Sequence, residues 1–355
     1  MAIVGGLDLH RAQITYDYVD TAMGEVHTGR IAPANRDTFR EFLAELPTRD
    51  AEFVVEGCTG WWFIVDELSA AAMGSHVGDP AEVANRRGRK KRAKTDRADA
   101  RLLRQLLIEG RVPESWVPPA HVLETRALGR LYLDLIATRN AWAQRIHATG
   151  FHHGAPVLPG DLSAPHHQHV VVEVAESLPV VNRHAIETAL RLINEISDEL
   201  DPIRRQLKWV GRHQPGAKAI QAIYGIGELT GAIIWAELGD CRRFSSSRRA
   251  VRHTGLDITV HDSDGKRSAG RLARQGPGTL RWALYESAQT ASHRASPDHT
   301  YYRTKKAAKG HKIAVFSVAR KIVRRCHHIL TDLGDTALEP PTSRLPRPDL
   351  TRTIT

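Results

Sequence analysis

A chain of 355 residues with 41% hydrophobic and 25% charged residues carries enough apolar material for two or three packed domains and has the composition of an ordinary globular protein. Its net charge of +10 favours a polyanionic partner, and nucleic acid is the commonest one. Cys58, Cys241 and Cys326 are widely separated and form no CxxC pair and no zinc pattern, no apolar stretch approaches the ~20 residues that span a bilayer, and no signal peptide precedes the first apolar run, so a cytoplasmic protein without a membrane partner is expected.

The chain opens on IVGGLDLH, an apolar run interrupted by Asp8 that reads as a buried strand. Residues 13–19 alternate polar and apolar positions, and the turn at Met23-Gly24 leads to a third strand at 26–31. Residues 38–46 have the period of an amphipathic helix, 53–56 read as a central strand ending at Glu56, and 60–72 as a second helix. Three antiparallel strands followed by helix, strand and helix is the opening order of an α/β ribonuclease-H-like fold. Asp96 and Asp99, in KTDRADARLLRQLL, lie three apart at a helix start and so share one face. Asp8, Glu56, Asp96 and Asp99 therefore sit at strand ends and on one helix face. Four such acids repel one another unless a divalent cation neutralises them, and hard oxygen ligands suit Mg²⁺ or Mn²⁺, the ions of phosphoryl transfer.

Between those acids lies RRGRKKRAK, in which Arg86, Arg87, Arg89, Lys90, Lys91, Arg92 and Lys94 make seven basic residues in nine. The segment has no apolar periodicity, and it runs straight into the acid helix. It reads as a phosphate-contacting loop that leads into that helix. Residues 118–147 and 183–210 then read as two long helices. In the second, Ile186, Ala189, Ile193, Ile196, Leu200, Ile203, Leu207 and Val210 form a heptad seam that suits either an intrachain hairpin or an oligomer contact, with Pro202 expected to kink or restart it. Residues 150–169, with five histidines among Gly and Pro, read as a flexible polar linker.

Gly225-Ile226-Gly227, between an apolar run and a helix of small residues, has the helix-hairpin-helix pattern, in which glycines allow close backbone approach and helix-end amides bind phosphate. Residues 241–281 are rich in serine and arginine, with Ser245, Ser246, Ser247, Ser263 and Ser268 alongside Arg271, Arg274 and Arg281. A serine there is either a phosphate contact or a nucleophile on phosphorus whose transition state the arginines stabilise. The Pro-rich residues 336–355 read as a disordered tail.

The set GGLDLH, VVEGCTGWW, KTDRADARLL, IYGIGELTGAIIWAELGDCRRFSSSRRAVRHTGL and GPGTLRWAL resembles the insertion-sequence transposases that carry an N-terminal RuvC-like DEDD domain and a C-terminal serine-bearing domain, the recombinases guided by a bridge RNA. The resemblance covers 3–110 and 216–330. It implies a RuvC-like nuclease domain at 1–112, a helical coiled-coil and oligomerisation region at 113–215, a mostly α serine-bearing domain at 216–335, and the tail. It implies that Asp8, Glu56, Asp96 and Asp99 are the catalytic acids, that Ser263, a few residues after Gly255-Leu256, is the nucleophile with Ser268 as the alternative, and that DNA, a structured guide RNA and further copies of the chain (a dimer or tetramer) are the partners. GLDI stands where the family has GLTP, and Ser263 is followed by Asp264 in place of glycine. The competing class is a metal-dependent hydrolytic nuclease of the junction-resolvase or ribonuclease H type, which would use water in place of Ser263.

Overall fold

A computed structural model describes residues 2–86, 95–258, 261–263, 266–268, 272–273 and 275–341. The chain divides into two compact units, residues 1–117 and 118–355.

The first unit is built on a five-stranded sheet of order β3-β2-β1-β4-β5, with β1 Ile3–Leu9, β2 Ile14–Asp20, β3 Glu25–Ile31, β4 Ala51–Glu56 and β5 Gly74–Gly78. β1 to β3 pair antiparallel, and β4 and β5 join parallel to β1. The alternation of β1 sorts its residues between the two faces. Ile3 and Leu7 enter a core shared with Phe53 and Val55 of β4, Phe39 and Leu43 of helix α1 (Arg36–Glu45), and Ile64 and Leu68 of α2 (Trp61–Ala70). Asn35 caps α1 by accepting from the Thr38 amide at 3.0 Å. α3 (Pro80–Arg86) and α4 (Asp96–Ile108) follow in the chain, and Val83, Leu103 and Leu106 bury against Val54.

Gly6 decides how closely α4 can lie against β1. A Cβ there would come within 2.1 Å of the Ala100 carbonyl and 2.6 Å of the Arg104 amide, so only glycine lets the helix backbone rest on the strand. Thr95 caps α4 by accepting from the Ala98 amide at 3.2 Å, so the helix starts at Asp96. On the same face Asp17 of β2, 1% exposed, forms ion pairs with Arg104 at 2.5 Å and Arg101 at 3.6 Å.

The second unit is helical apart from a short hairpin. α5 (Ala120–His152) and α7 (Val180–His213) are its longest helices, and they pack against each other. The heptad seam resolves into an intrachain contact: Ile186, Ala189, Ile193, Leu200, Ile203, Leu207 and Val210 are buried within the chain, and Ile196 is half-buried. α7 continues through Pro202 as one helix, so the chain does not restart there. The histidine-rich stretch is also more structured than its composition predicts. α6 (Pro165–Glu176) contains His166, His167 and His169, and Leu158, Leu162, Val171 and Ala175 bury against Ile146, Ile186 and Ile193, closing the end of the α5/α7 pair. The apolar residues spaced among the histidines are what fold it.

α8 (Pro215–Ile220) and α9 (Glu228–Leu238) flank the Gly225-Ile226-Gly227 turn. α9 is buried on every side from Gly231 to Leu238, with α5, α7, α8 and α11 (Gly278–Gln289) around it. Gly211 of α7 allows that packing, because a Cβ there would lie 2.1 Å from the Glu228 carbonyl. α10 (Ser247–His253), α12 (His299–Lys309) and α13 (His311–Leu333) complete the helices. Residues 334–341, most of which composition assigns to the tail, are packed. Trp235 donates its indole N–H to the Ala337 carbonyl at 2.7 Å, and buried Gln214 donates to the same oxygen at 2.8 Å. Both buried donors need partners, and this segment supplies them.

Candidate active site

β1 and β4 run parallel in the register Leu7 opposite Val55, so the next residues, Asp8 and Glu56, leave the ends of adjacent strands on one face. It is the face on which Gly6 admits α4, and α4 brings Asp96 and Asp99 in its first turn. The Asp8 carboxylate is mostly buried, with 13% of its side chain exposed, and His10 Nε2 lies 3.2 Å from it. The same nitrogen is 3.5 Å from the Asp96 carboxylate, and Gln13 donates to the other Asp96 oxygen at 3.1 Å. Asp99 is buried. Burial pushes the Asp8 carboxyl above its ordinary value, and the negative charges of Asp99 and Asp96 add to that rise, with His10 opposing it. Cys58, just past β4, is likewise pushed up, first by burial and then by the charges of Glu56 and Asp8.

Asp8, His10 and Asp96 place two carboxylate oxygens and an imidazole nitrogen within 4.8 Å of one another, the metal-competent grouping among the described residues. Thr15, which pairs with Asp8 across β1 and β2, is fully buried, and its hydroxyl has no hydrogen-bond partner among the described residues. Carboxylates held together against their own repulsion, beside an unsatisfied hydroxyl, fit a bound divalent cation. His10, Gln13, Thr15 and Asp17 escaped the sequence reading. The signal for Asp17 and Thr15 was there: they fall on the inner face of an alternating strand, where polar residues need a reason.

The other candidate residues lie in the second unit or outside the described residues. Ser263 ends β6 (His261–Ser263) and pairs in register with Lys266 of β7 (Lys266–Ser268), while Ser268 pairs with His261 at the opposite end of the hairpin. Of the basic cluster, Arg86 is the last residue of α3; Arg87, Arg89, Lys90, Lys91, Arg92 and Lys94 lie outside the described residues, as do Arg271 and Arg274. Gly225, at φ +96°, is required by packing, because a Cβ would meet Thr290 Oγ1 at 2.2 Å and the Ser287 carbonyl at 2.4 Å. Gly227 is the N-cap of α9, with open space where a side chain would stand. It alone of the two leaves a backbone approach open to a ligand.

Two family models match the chain. One, a DEDD transposase model of the IS110 type, covers residues 5–149, and the other, described as "Transposase IS116/IS110/IS902 family", covers 217–303. The chain belongs to the IS110/IS116 family of transposases. The chain is 32% identical over 121 residues to the Streptomyces clavuligerus "Insertion element IS116 uncharacterized 44.8 kDa protein", a match that covers 34% of this chain and 30% of the relative. It is 29% identical over 105 residues to a "Probable family 20 transposase" of Pseudomonas aeruginosa, covering 28% and 31% of the two chains. It is also 26% identical over 258 residues to the Sinorhizobium fredii "Putative transposase y4rJ", covering 65% and 63%. The matched regions thus span less than two thirds of each of these relatives. No helix among the described residues is long and apolar enough to cross a membrane.

Proposed function

We propose that this transposase cuts and rejoins DNA strands for an insertion sequence, with Asp8, Glu56, Asp96 and Asp99 as a metal-binding set and Ser263 as the nucleophile. The observation that carries the reading is the gathering of Asp8, Asp96 and Asp99 where β1 meets α4, in a chain whose second unit presents a serine on a hairpin after Gly255-Leu256. The strand order β3-β2-β1-β4-β5 supports the ribonuclease-H-like assignment of the first unit. Asp8, Glu56, Asp96 and Asp99 would hold a Mg²⁺ or Mn²⁺ ion. When bound, such an ion supplies charge neutralisation at the scissile phosphate and lowers the effective pKa of an attacking hydroxyl.

The protein's own residues account for the rest. The Ser263 oxygen attacks phosphorus, the new Oγ–P bond replaces the P–O3′ bond, and the proton lost by the serine is balanced by the one gained at the departing 3′-oxygen. A 3′-hydroxyl of another strand then reverses the exchange, so the phosphodiester energy is retained and no nucleotide cofactor is consumed. The basic residues at 86–94, with Arg271 and Arg274, position phosphate backbones. A structured bridge RNA selects target and donor by base pairing, while the protein reads mostly shape. Two or more subunits, as a dimer or tetramer, form the composite site, the acids of one meeting the serine of another. The interface must be sought away from the heptad seam, which is filled within the chain.

Covalent capture tests this. Wild-type protein with end-labelled DNA, guide RNA and Mg²⁺ is expected to give a protein–DNA adduct that survives denaturation and maps to Ser263. Ser263→Ala should lose the adduct and Ser268→Ala should keep it. Cleavage by Ser263→Ala with no adduct from any variant would make the chain a water-using nuclease.

A further inference from the structure

α13 carries two pairs of basic residues whose environments differ. Lys321 and Arg325 are spent on Asp298, a buried carboxylate at the start of α12 that they reach at 2.6 and 2.5 Å. Arg320 and Arg324, four apart and so on one side of the helix, turn elsewhere. They line a cleft of about 590 Å³ together with Arg248, Arg249 and Arg252 of α10. Asp257 is its single carboxylate, against five arginines. Arg248, Arg249, Arg252 and Arg324 have no acidic partner among the described residues, and such a concentration of like charge in a concavity is costly unless an anion shares it. Arg320 is anchored by donating from Nε to the Leu256 carbonyl at 2.6 Å, which fixes its guanidinium in the wall.

The position of the cleft is as informative as its charge. Leu256, Asp257 and Ile258 lead directly into the serine hairpin, and Ile258 pairs with Leu272 to close the hairpin's base. Ser263 is five residues beyond Ile258, a span of at most about 17 Å for extended chain. A strand whose phosphate sits among the arginines is therefore held within reach of that serine. Planar guanidinium forks match phosphate oxygens bidentately, and five of them around one cleft suit a polyanion better than they suit a small carboxylate. Arg320 and Arg324 also lie beyond residues 217–303, so α13 adds to the site something the matched family region does not contain.

We propose that this arginine cleft between α10 and α13 is a phosphodiester-binding site that seats a nucleic-acid strand at the root of the serine hairpin. The inference rests on the reading that the chain acts on nucleic acid. The test uses the full chain and fluorescent duplex DNA, single-stranded DNA and hairpin RNA of unrelated sequence, with affinity measured as a function of salt. In Arg248→Gln/Arg252→Gln/Arg324→Gln the salt slope is expected to fall by roughly 0.7–0.9 for each phosphate that is no longer neutralised. The charge-matched variant Arg191→Gln/Arg205→Gln/Lys208→Gln, on exposed positions of α7, is expected to keep the wild-type slope. A fall in the DNA arms identifies a substrate strand in the cleft, and a fall in the RNA arm a guide strand; both support the site. An unchanged slope in the cleft variant, or an equal fall in the α7 variant, overturns it while leaving the functional reading intact. Absence of any binding by the wild type overturns the functional reading as well. Should the glutamine variant fail to fold, Arg248→Lys/Arg252→Lys/Arg324→Lys keeps the charge and removes the fork. Its affinity is then expected to drop severalfold at constant slope, and wild-type affinity overturns the site.

Discussion

Asp8 illustrates what a reactive centre costs the fold around it. Its ionised form is disfavoured by burial and by the charges of Asp99 and Asp96, so at neutral pH the metal-free protein carries a destabilising carboxylate. Asp8→Asn removes that charge without changing the shape, and its melting temperature in the absence of metal is expected to exceed that of the wild type. Mn²⁺ should then raise the melting temperature of the wild type, by the equivalent of roughly 2.7 kcal/mol at a concentration a hundredfold above Kd, and leave Asp8→Asn unmoved. An equal Mn²⁺ response in both proteins would remove Asp8 from the metal set. His253 shows a second residue-level effect, in the other unit. Burial pushes its imidazole down to about 4, and the neighbouring Arg243 guanidinium, 3.3 Å away, adds to the fall. The unfolded chain takes up this proton near pH 6.5, whereas the folded chain does not until about 4. Between those values the unfolded state binds more protons, so stability declines as the pH falls, by about 3 kcal/mol in all. Denaturant melts at pH 7.5 and 4.5 should show that decline in the wild type and a smaller one in His253→Gln.

At the scale of elements, α4 decides whether the acids meet. It is held to the sheet by the close approach at Gly6, by Leu103 and Leu106, and by the ion pairs from Arg101 and Arg104 to Asp17. Removing one partner of a buried ion pair typically costs about 3–5 kcal/mol, because the remaining charge stays buried. Asp17→Asn should therefore lower the stability of the first unit by that order, and Mn²⁺ affinity should fall with it although no acid of the site has been touched. Unchanged metal affinity would show that α4 is positioned without Asp17. The acid helix itself was legible, because KTDRADARLLRQLL carries its cap, its acids and its apolar period within one stretch. The ion pair was not, because Asp17 and Arg104 are joined only once β2 and α4 share a face. β5 went unread for a local reason: Gly74 and Gly78 at its ends mask a five-residue strand that exists by pairing with β4. The reverse holds for α7, whose seam was plain in the sequence although its occupant was not. Periodicity states that a stripe must be covered, and only the fold shows that α5, α6 and α9 cover it.

At the scale of the whole molecule, the acids belong to one compact unit and the serine hairpin to the other. The identity of the acids could be read from strand ends and helix spacing, whereas no local pattern singled out one serine among several; Ser263 came from family resemblance alone. Division of the chemistry between two units permits either of two assemblies, in which a subunit's acids work with its own serine or with that of another copy. Symmetry separates the two, because an isologous dimer that exchanges units has two equivalent composite sites. Ser263→Ala and Asp8→Ala subunits are each expected to be inactive alone. In a mixed dimer with exchanged units, the intact acids of the first variant meet the intact serine of the second, and one of the two sites is whole. Random mixing in equal amounts then leaves about a quarter of all sites functional, to be read as single-strand cleavage and as adduct on the Asp8→Ala chain only. If each subunit uses its own serine, every site in every mixture carries one defect, and mixing restores nothing.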